Sequence, residues 1–185
     1  MALLLQRIVW PSRAQLNELH ALCCKAPNYW LITEGKRMPG RDAIAAWFDG
    51  SELPVGRSIG DQHIFAILDG ETLIGVAMAL RGWRYPEQAQ IGLLLIGEPW
   101  QGRGIGREAY QLLEREIASW PGMQTLRIGI IASNGPAFVF WRRMGFAETG
   151  ERRRDISFLA ETRFLEKRLP LPDTRSAAEI PIAGL

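Results

Sequence analysis

The chain has 185 residues, 47% of them hydrophobic and 23% charged, with a formal net charge of +2. That is enough for one sizeable globular core, and the charge is too small to argue for nucleic acid. The cysteines Cys23 and Cys24 are adjacent, so no ordinary bridge joins them. With no histidine nearby in sequence to activate them, and no metal-ligand spacing around His20 and His63, the chain reads as metal-free with reduced thiols. Met1–Leu5 is too short for a signal-peptide core or a membrane span, which predicts a cytoplasmic protein that neither enters nor anchors to a membrane.

Leu3 to Val9 reads as a first strand, broken by Pro11-Ser12, which caps a helix running to about Cys24. Ala26-Pro27-Asn28 ends that helix. A second runs from Pro39 or Gly40 to Phe48, with Ile44, Trp47 and Phe48 turned inward. Gly, Pro and Ser make Asp49 to Asp61 a loop. His63–Leu68 and Thr72–Leu80 then form a hairpin with a type I′ turn at Asp69-Gly70. His63 reads as structural. Both arms are apolar almost throughout, which suggests a sheet covered on both faces. A fourth strand covers Ala89 to Ile96. Ile105, Ala109, Leu112, Leu113, Ile117 and Trp120 recur at helical spacing, so a helix fills 105–119. Leu126, Ile128, Ile130 and Ile131 mark a fifth strand. A helix follows, with Pro136 in its first turn, Gly135 as its cap, Asn134 outside it with a free side chain, and Gly145 at its end. Phe146–Ile156 and Phe158–Leu169 read as the last two strands. Residues 1–169 thus form a single domain, and 170–185, rich in Pro, Ala and Ser, a loose tail.

The chemistry centres on Gln101-Gly102-Arg103-Gly104-Ile105-Gly106-Arg107, between a buried strand and a helix. Glycines let the backbone turn tightly and converge its N–H groups, and the helix N-terminus adds further unpaired donors. Arg103 and Arg107 oppose the helix dipole, a mismatch that a bound pyrophosphate would reverse. A dinucleotide fingerprint starting at Gly102 needs glycine where Arg107 stands, and the Gly-Lys-Ser/Thr of a Walker loop is absent. A glycine turn with no ligand is the plainer reading of this stretch alone.

Gln101-x-x-Gly104-x-Gly106 resembles the acetyl-CoA pyrophosphate loop of the GNAT N-acetyltransferase superfamily. Asn134-Gly135-Pro136-Ala137-Phe138-Val139-Phe140-Trp141-Arg142-Arg143-Met144-Gly145-Phe146 is similar to that family's second signature. The resemblance is clear from about Gln62 to Leu169. It implies an α/β fold: a mixed, mostly antiparallel central sheet of about six to seven strands, helices on both faces, splayed between strands four and five. It also implies transfer of an acetyl group from acetyl-CoA, the co-substrate, to a primary amine of a small molecule. Cofactor contacts would come from Leu94, Leu95 and Ile96 through their backbone, from Gln101, Gly102, Arg103, Gly104, Ile105, Gly106 and Arg107 at the pyrophosphate, and from Asn134, Phe140 and Trp141. The Leu95 amide is the candidate to polarise the thioester carbonyl. Tyr29, Trp30 and Glu34 are candidate acceptor contacts, with core packing the plainer reading of the two aromatics.

No activated nucleophile accompanies these motifs, which favours direct attack in a ternary complex over an acyl-enzyme. For a general base, Glu98 just past strand four is the leading candidate, beside Gln90 and Glu87. Trp141 departs from the family pattern, whose tyrosine there protonates the departing thiolate; an indole N–H donates a hydrogen bond but does not titrate usefully. Arg152-Arg153-Arg154, with Arg142 and Arg143, reads as a solvated surface or as an anchor for CoA phosphates or an acidic acceptor group. A non-catalytic acyl-CoA-binding module, and an acetyltransferase acting on a protein N-terminus or lysine, are the competing readings. A homodimer is suggested by the family alone.

Overall fold

The computed structural model describes residues 3–170, so all but the first residue of the expected tail lies outside the described residues. The strands are β1 (Leu3–Ile8), β2 (Gln62–Asp69), β3 (Thr72–Arg81), β4 (Gln88–Ile96), β5 (Thr125–Ile131), β6 (Ala147–Arg153) and β7 (Thr162–Arg168). They form one sheet in the order β1-β2-β3-β4-β5-β7-β6. Every pairing is antiparallel except β4 with β5, which is parallel. The helices are α1 (Arg13–Cys23), α2 (Pro27–Glu34), α3 (Arg41–Ala46), α4 (Ile105–Ala118) and α5 (Gly135–Arg143).

The apolar runs of the central strands are covered on both faces, as a sheet without a solvated side requires. On one face, Ile105, Ala109, Leu113 and Ile117 of α4 and Trp141 of α5 pack with Ile91, Leu126, Ile128 and Leu165. On the other, Leu19 of α1, Trp30 of α2 and Ile44 of α3 pack with Ile64, Val76, Leu93 and Leu95. Truncating a fully buried residue such as Leu113 would cost about 2–5 kcal/mol.

Local chemistry sets the element ends. Ser12 and Gln15 form a reciprocal capping box at the start of α1. Pro27 lies in the first turn of α2, so the segment 27–34, which carries no clear helical period, is helix rather than an extension of the preceding turn. The hairpin turn differs from expectation. Asp69 pairs with Thr72, so the loop is Gly70-Glu71, and only Gly70 has positive φ, 59°. That is the type II′ pattern; type I′ needs positive φ at both loop residues. The last two strands are shorter than their apolar residues suggested, because 154–161 is an irregular loop that bonds to α2 through Leu159 N–H and Thr33 C=O at 2.9 Å.

The feature that makes the site is the parting of β4 from β5. They pair only from Gln88↔Thr125 to Ile91↔Ile128. Beyond that, each keeps its outer neighbour: β4 stays on β3 as far as Gly75↔Ile96, and β5 stays on β7 as far as Ile131↔Thr162. The parting begins at a bulge. Ile91 faces Ala79 and Leu93 faces Met78, which leaves Gly92 as the extra residue. A bulge adds twist and bends its strand, and here it turns β4 away from β5.

Candidate active site

The gap between the two strands opens into a cleft of about 800 Å³, within the range of small-molecule and cofactor sites. Its floor is Gly92, Leu93, Leu94 and Ile96 on β4 and Ile128–Ile131 on β5. One wall carries Gln101, Gly102, Gly104, Gly106 and Arg107, with Asn134, Phe140, Trp141, Arg143 and Met144 of the α5 segment beside them. Tyr29 and Thr33 of α2 form the opposite wall.

The β4 backbone is read from its register. Gly97 N–H donates to Ile74 C=O at 2.9 Å, so that pair is hydrogen-bonded across the β3–β4 ladder. Leu95, two residues earlier in an unbroken register, directs its N–H at Val76. The backbone groups of Leu94 and Ile96 point the other way, into the gap. Gln101 Nε2 donates to Ile96 C=O at 2.6 Å, consistent with that direction. The candidate polarising amide therefore moves from Leu95 to Leu94 or Ile96, and Leu95 does not line the cleft. Sequence could not show this, because it depends on which neighbour each peptide faces.

At the loop, Gly102 and Gly104 have φ of 77° and 81°, values that suit glycine alone. Gly104 caps α4 without a side-chain hydrogen bond; Arg107 N–H donates to Gly104 C=O at 3.0 Å, and the Ile105 and Gly106 amides stay free for an anion. Phe140 packs over Gly106, 3.6 Å from where a β-carbon would lie, and Arg143 follows one turn later. Arg103, Arg107 and Arg143 form no ion pair among the described residues, and Arg107 and Arg143 both line the cleft. Of the loop residues expected to touch the cofactor, Arg103 is exposed away from the lining and Ile105 is buried in the core.

Three arginines of the basic run serve the surface. Arg142 pairs with Glu148, Arg152 with Glu161 at 2.9 Å, and Arg153 lies over the Phe164 ring. Asn134, not Gly135, is the α5 cap. Its Oδ1 accepts from Ala137 N–H at 3.2 Å, and its amide N–H groups stay free for a ligand.

The remaining candidates separate clearly. Glu98 does not line the cleft; its Oε1 accepts from Asn28 N–H at 2.9 Å and so caps α2. Gln90 and Glu87 also lie outside the lining. Trp30 is buried, with its indole N–H donating to Cys23 C=O at 2.9 Å. Glu34 stands off the lining at the end of α2, its carboxyl pushed up by burial. Trp141 is wedged edge-on among Tyr110, Phe140 and Phe146, with ring centres 5.1–5.4 Å away. Tyr29 is half-buried, and burial, then the neighbouring Glu34, raises its phenol above the ordinary range.

The thiols are no better placed. Burial and then Cys24 push Cys23 up to about 12. Contrary to the sequence reading, a histidine does stand beside a cysteine: His20, one helical turn earlier, comes within 3.8 Å of Cys24 Sγ. Its Nε2 meets Pro39 C=O at 3.2 Å, which leaves Nδ1 to accept from the thiol, and the pair lies outside the cleft. His63 packs against Trp120 as a structural residue.

A strand edge freed by a bulge, ending in a glycine loop at a helix N-terminus, suits an extended ligand with a phosphorylated end. Residues 24–146 match the family model described as the acetyltransferase (GNAT) family. The chain belongs to the GNAT acetyltransferase family. As a GNAT protein it is an acetyl-CoA-dependent N-acetyltransferase. Solved structures agree on the fold. An acetyltransferase from Thermus thermophilus superposes with a TM-score of 0.70 at 24% identity, covering 91% of this chain and 98% of that one. The ribosomal-protein-S18-alanine N-acetyltransferase from Escherichia coli gives 0.65 at 13%, covering 93% and 97%. The spermidine N-acetyltransferase from Vibrio cholerae, in complex with CoA and spermine, gives 0.68 at 15%, covering 90% and 95%. No curated protein matches. Among the described residues of this GNAT enzyme, no helix is long and apolar enough to cross a membrane, and no cluster of His, Cys, Asp and Glu could hold a metal ion.

Proposed function

We propose that this enzyme acetylates the primary amine of a small molecule, by direct attack on acetyl-CoA within a ternary complex. The observation that carries the reading is the chemistry of the cleft lining. Among the described residues it holds free amides, two unpaired arginines and an open strand edge, but no cysteine, histidine or carboxylate. The Gly104, Ile105 and Gly106 amides, with the Arg107 and Arg143 side chains, suit the phosphates. Leu94 and Ile96 suit the pantetheine arm, one of their amides lying where the thioester oxygen gains charge. Nothing among the described lining residues would form an acyl-enzyme.

The same inventory favours one class of amine. With no carboxylate or imidazole among the described lining residues, the acceptor is one that reaches the cleft already neutral. A peptide α-amine, pKa about 7.8, is roughly one-third neutral at pH 7.5, against about one in a thousand for a lysine-like amine of pKa about 10.4. Among the fold relatives are a spermidine and a protein N-terminal acetyltransferase; the missing base points away from polyamines. The test is thiol release from acetyl-CoA across amino acids, amino-terminal dipeptides, polyamines and lysine blocked at its α-amine. Turnover confined to the polyamines would overturn the α-amine preference, and turnover with none of the panel would overturn the small-molecule reading.

A further inference from the structure

Among the described residues, the lining leaves one protein hydroxyl unaccounted for. Thr33 Oγ1 already donates to Tyr29 C=O at 2.8 Å. Gln101 is held by Ile96 C=O. Arg107 and Arg143 sit at the phosphate end, and Trp141, where family resemblance would put a tyrosine, is packed into the core. Tyr29 remains. Its hydroxyl has no hydrogen-bond partner among the described residues, and its ring packs on the cluster that holds Leu93 and Leu95, the first residues of β4 past the bulge.

Tyr29 is also held firmly. Its ring meets Trp30 edge-on at 4.9 Å, and Trp30 is fixed by its own indole hydrogen bond. Three further bonds tie α2 to the surrounding fold: Asn28 N–H to Glu98, Ser133 Oγ to Ile32 C=O at 2.8 Å, and Leu159 N–H to Thr33 C=O. The Ser133 bond joins α2 to the far side of the gap, next to Asn134. The wall that carries Tyr29 is therefore braced against the strand end opposite it.

We infer that Tyr29 is a catalytic residue whose hydroxyl donates a hydrogen bond to the departing sulfur, taking from the opposite wall the place that Trp141 cannot fill. This rests on the acetyl-transfer reading above. The amine lone pair forms the C–N bond, the C–S bond breaks with its electron pair going to sulfur, and the Tyr29 O–H donates to that sulfur. The surplus amine proton passes to water, and water protonates the thiolate, so Tyr29 ends as it began. A phenol held in its neutral form by burial suits a donor and not a base.

The variant is Tyr29→Phe, which keeps the ring and its packing. Equilibrium binding comes first, because it needs no turnover. Calorimetry at pH 9.5, where CoA is mostly thiolate, should show CoA binding weakened about tenfold or more in the variant, while desulfo-CoA, which lacks the sulfur, binds both proteins alike. Equal losses for both ligands, or none, would overturn the assignment. In turnover, the variant should lose activity most with ordinary thioesters and least with an acetyl thioester whose thiol has a lower pKa. A uniform loss across thioesters, or a raised amine KM with unchanged kcat, would make Tyr29 an acceptor contact instead. Wild-type protein that binds CoA yet acetylates no amine would fail the parent reading and leave the binding result to stand separately.

Discussion

The loop assignment can be tested with a single backbone position and its own internal control. Gly104 sits at φ 81° and ψ −8°, and a β-carbon there meets no atom within 4 Å. Gly104→Ala therefore introduces conformational strain and no clash, about 1–2 kcal/mol. If the loop keeps its shape, that appears as a fall in melting temperature of about 2–8 °C for a chain of this size. If the loop relaxes, its amides cease to converge, and CoA affinity falls about 5- to 30-fold instead. Gly122 has the same φ, 81°, and equally open surroundings, but lies beyond the far end of α4 and outside the cleft lining. The 14-residue helix puts about 21 Å between them. Gly122→Ala should lower the melting temperature by a similar amount and leave CoA binding untouched. Gly104→Glu adds a carboxylate facing the phosphates, worth about 1–4 kcal/mol at 4 Å, for a total loss of at least about 30-fold. The assay is calorimetric titration with CoA, with circular dichroism to confirm the fold. Wild-type CoA affinity in Gly104→Glu would refute the phosphate site, and equal affinity losses at Gly104 and Gly122 would mean that only stability had changed.

Glu98→Gln should retain the cap on Asn28 N–H and leave kcat within a few-fold of wild type, whereas Glu98→Ala should cost about 0.5–2 kcal/mol of stability; a hundredfold drop in kcat for the Gln variant, with unchanged melting, would make Glu98 the base. With a peptide α-amine as acceptor, kcat/KM should climb tenfold per pH unit and level off near pH 8, and with a lysine-like amine it should climb on towards pH 10. A plateau from pH 6 with both would reveal an enzyme base. Burial, then the nearby Arg7 charge, depresses His63 to about 4. The unfolded chain therefore takes up a proton at about pH 6.5 that the folded chain refuses, so the stability from neutral His63 is complete above that pH and is lost as pH falls towards 4. Urea midpoints should show that decline and His63→Phe should flatten it; identical slopes in both proteins would contradict the burial argument.

Local patterns were strong in this chain, and they determined much. Helical spacing from Ile105 to Trp120, Pro136 in a first turn and the apolar runs of the hairpin each depend on neighbours a few residues away, and each element formed where its pattern lay. The two glycine motifs identified the family and the end of the cleft that suits phosphate. Where local signals were thin, the reading drifted: the turn moved by one residue, the last strands shortened, and Pro27–Glu34 became a helix supported by tertiary contacts. The direction of a peptide group is beyond any one-dimensional pattern. Whether Leu94 or Leu95 offers its amide to the gap depends on the β3–β4 register and on the extra residue at Gly92, which are properties of paired strands. Long-range partners likewise decided which titratable groups reach the cleft. Glu98 is occupied by Asn28, seventy residues away in the chain, while α2, held by Ser133 and Leu159, delivers Tyr29 to the same cleft as Trp141. Sequence proximity told against the first and gave no hint of the second, because both follow from contacts that exist only once the sheet has closed on its helices.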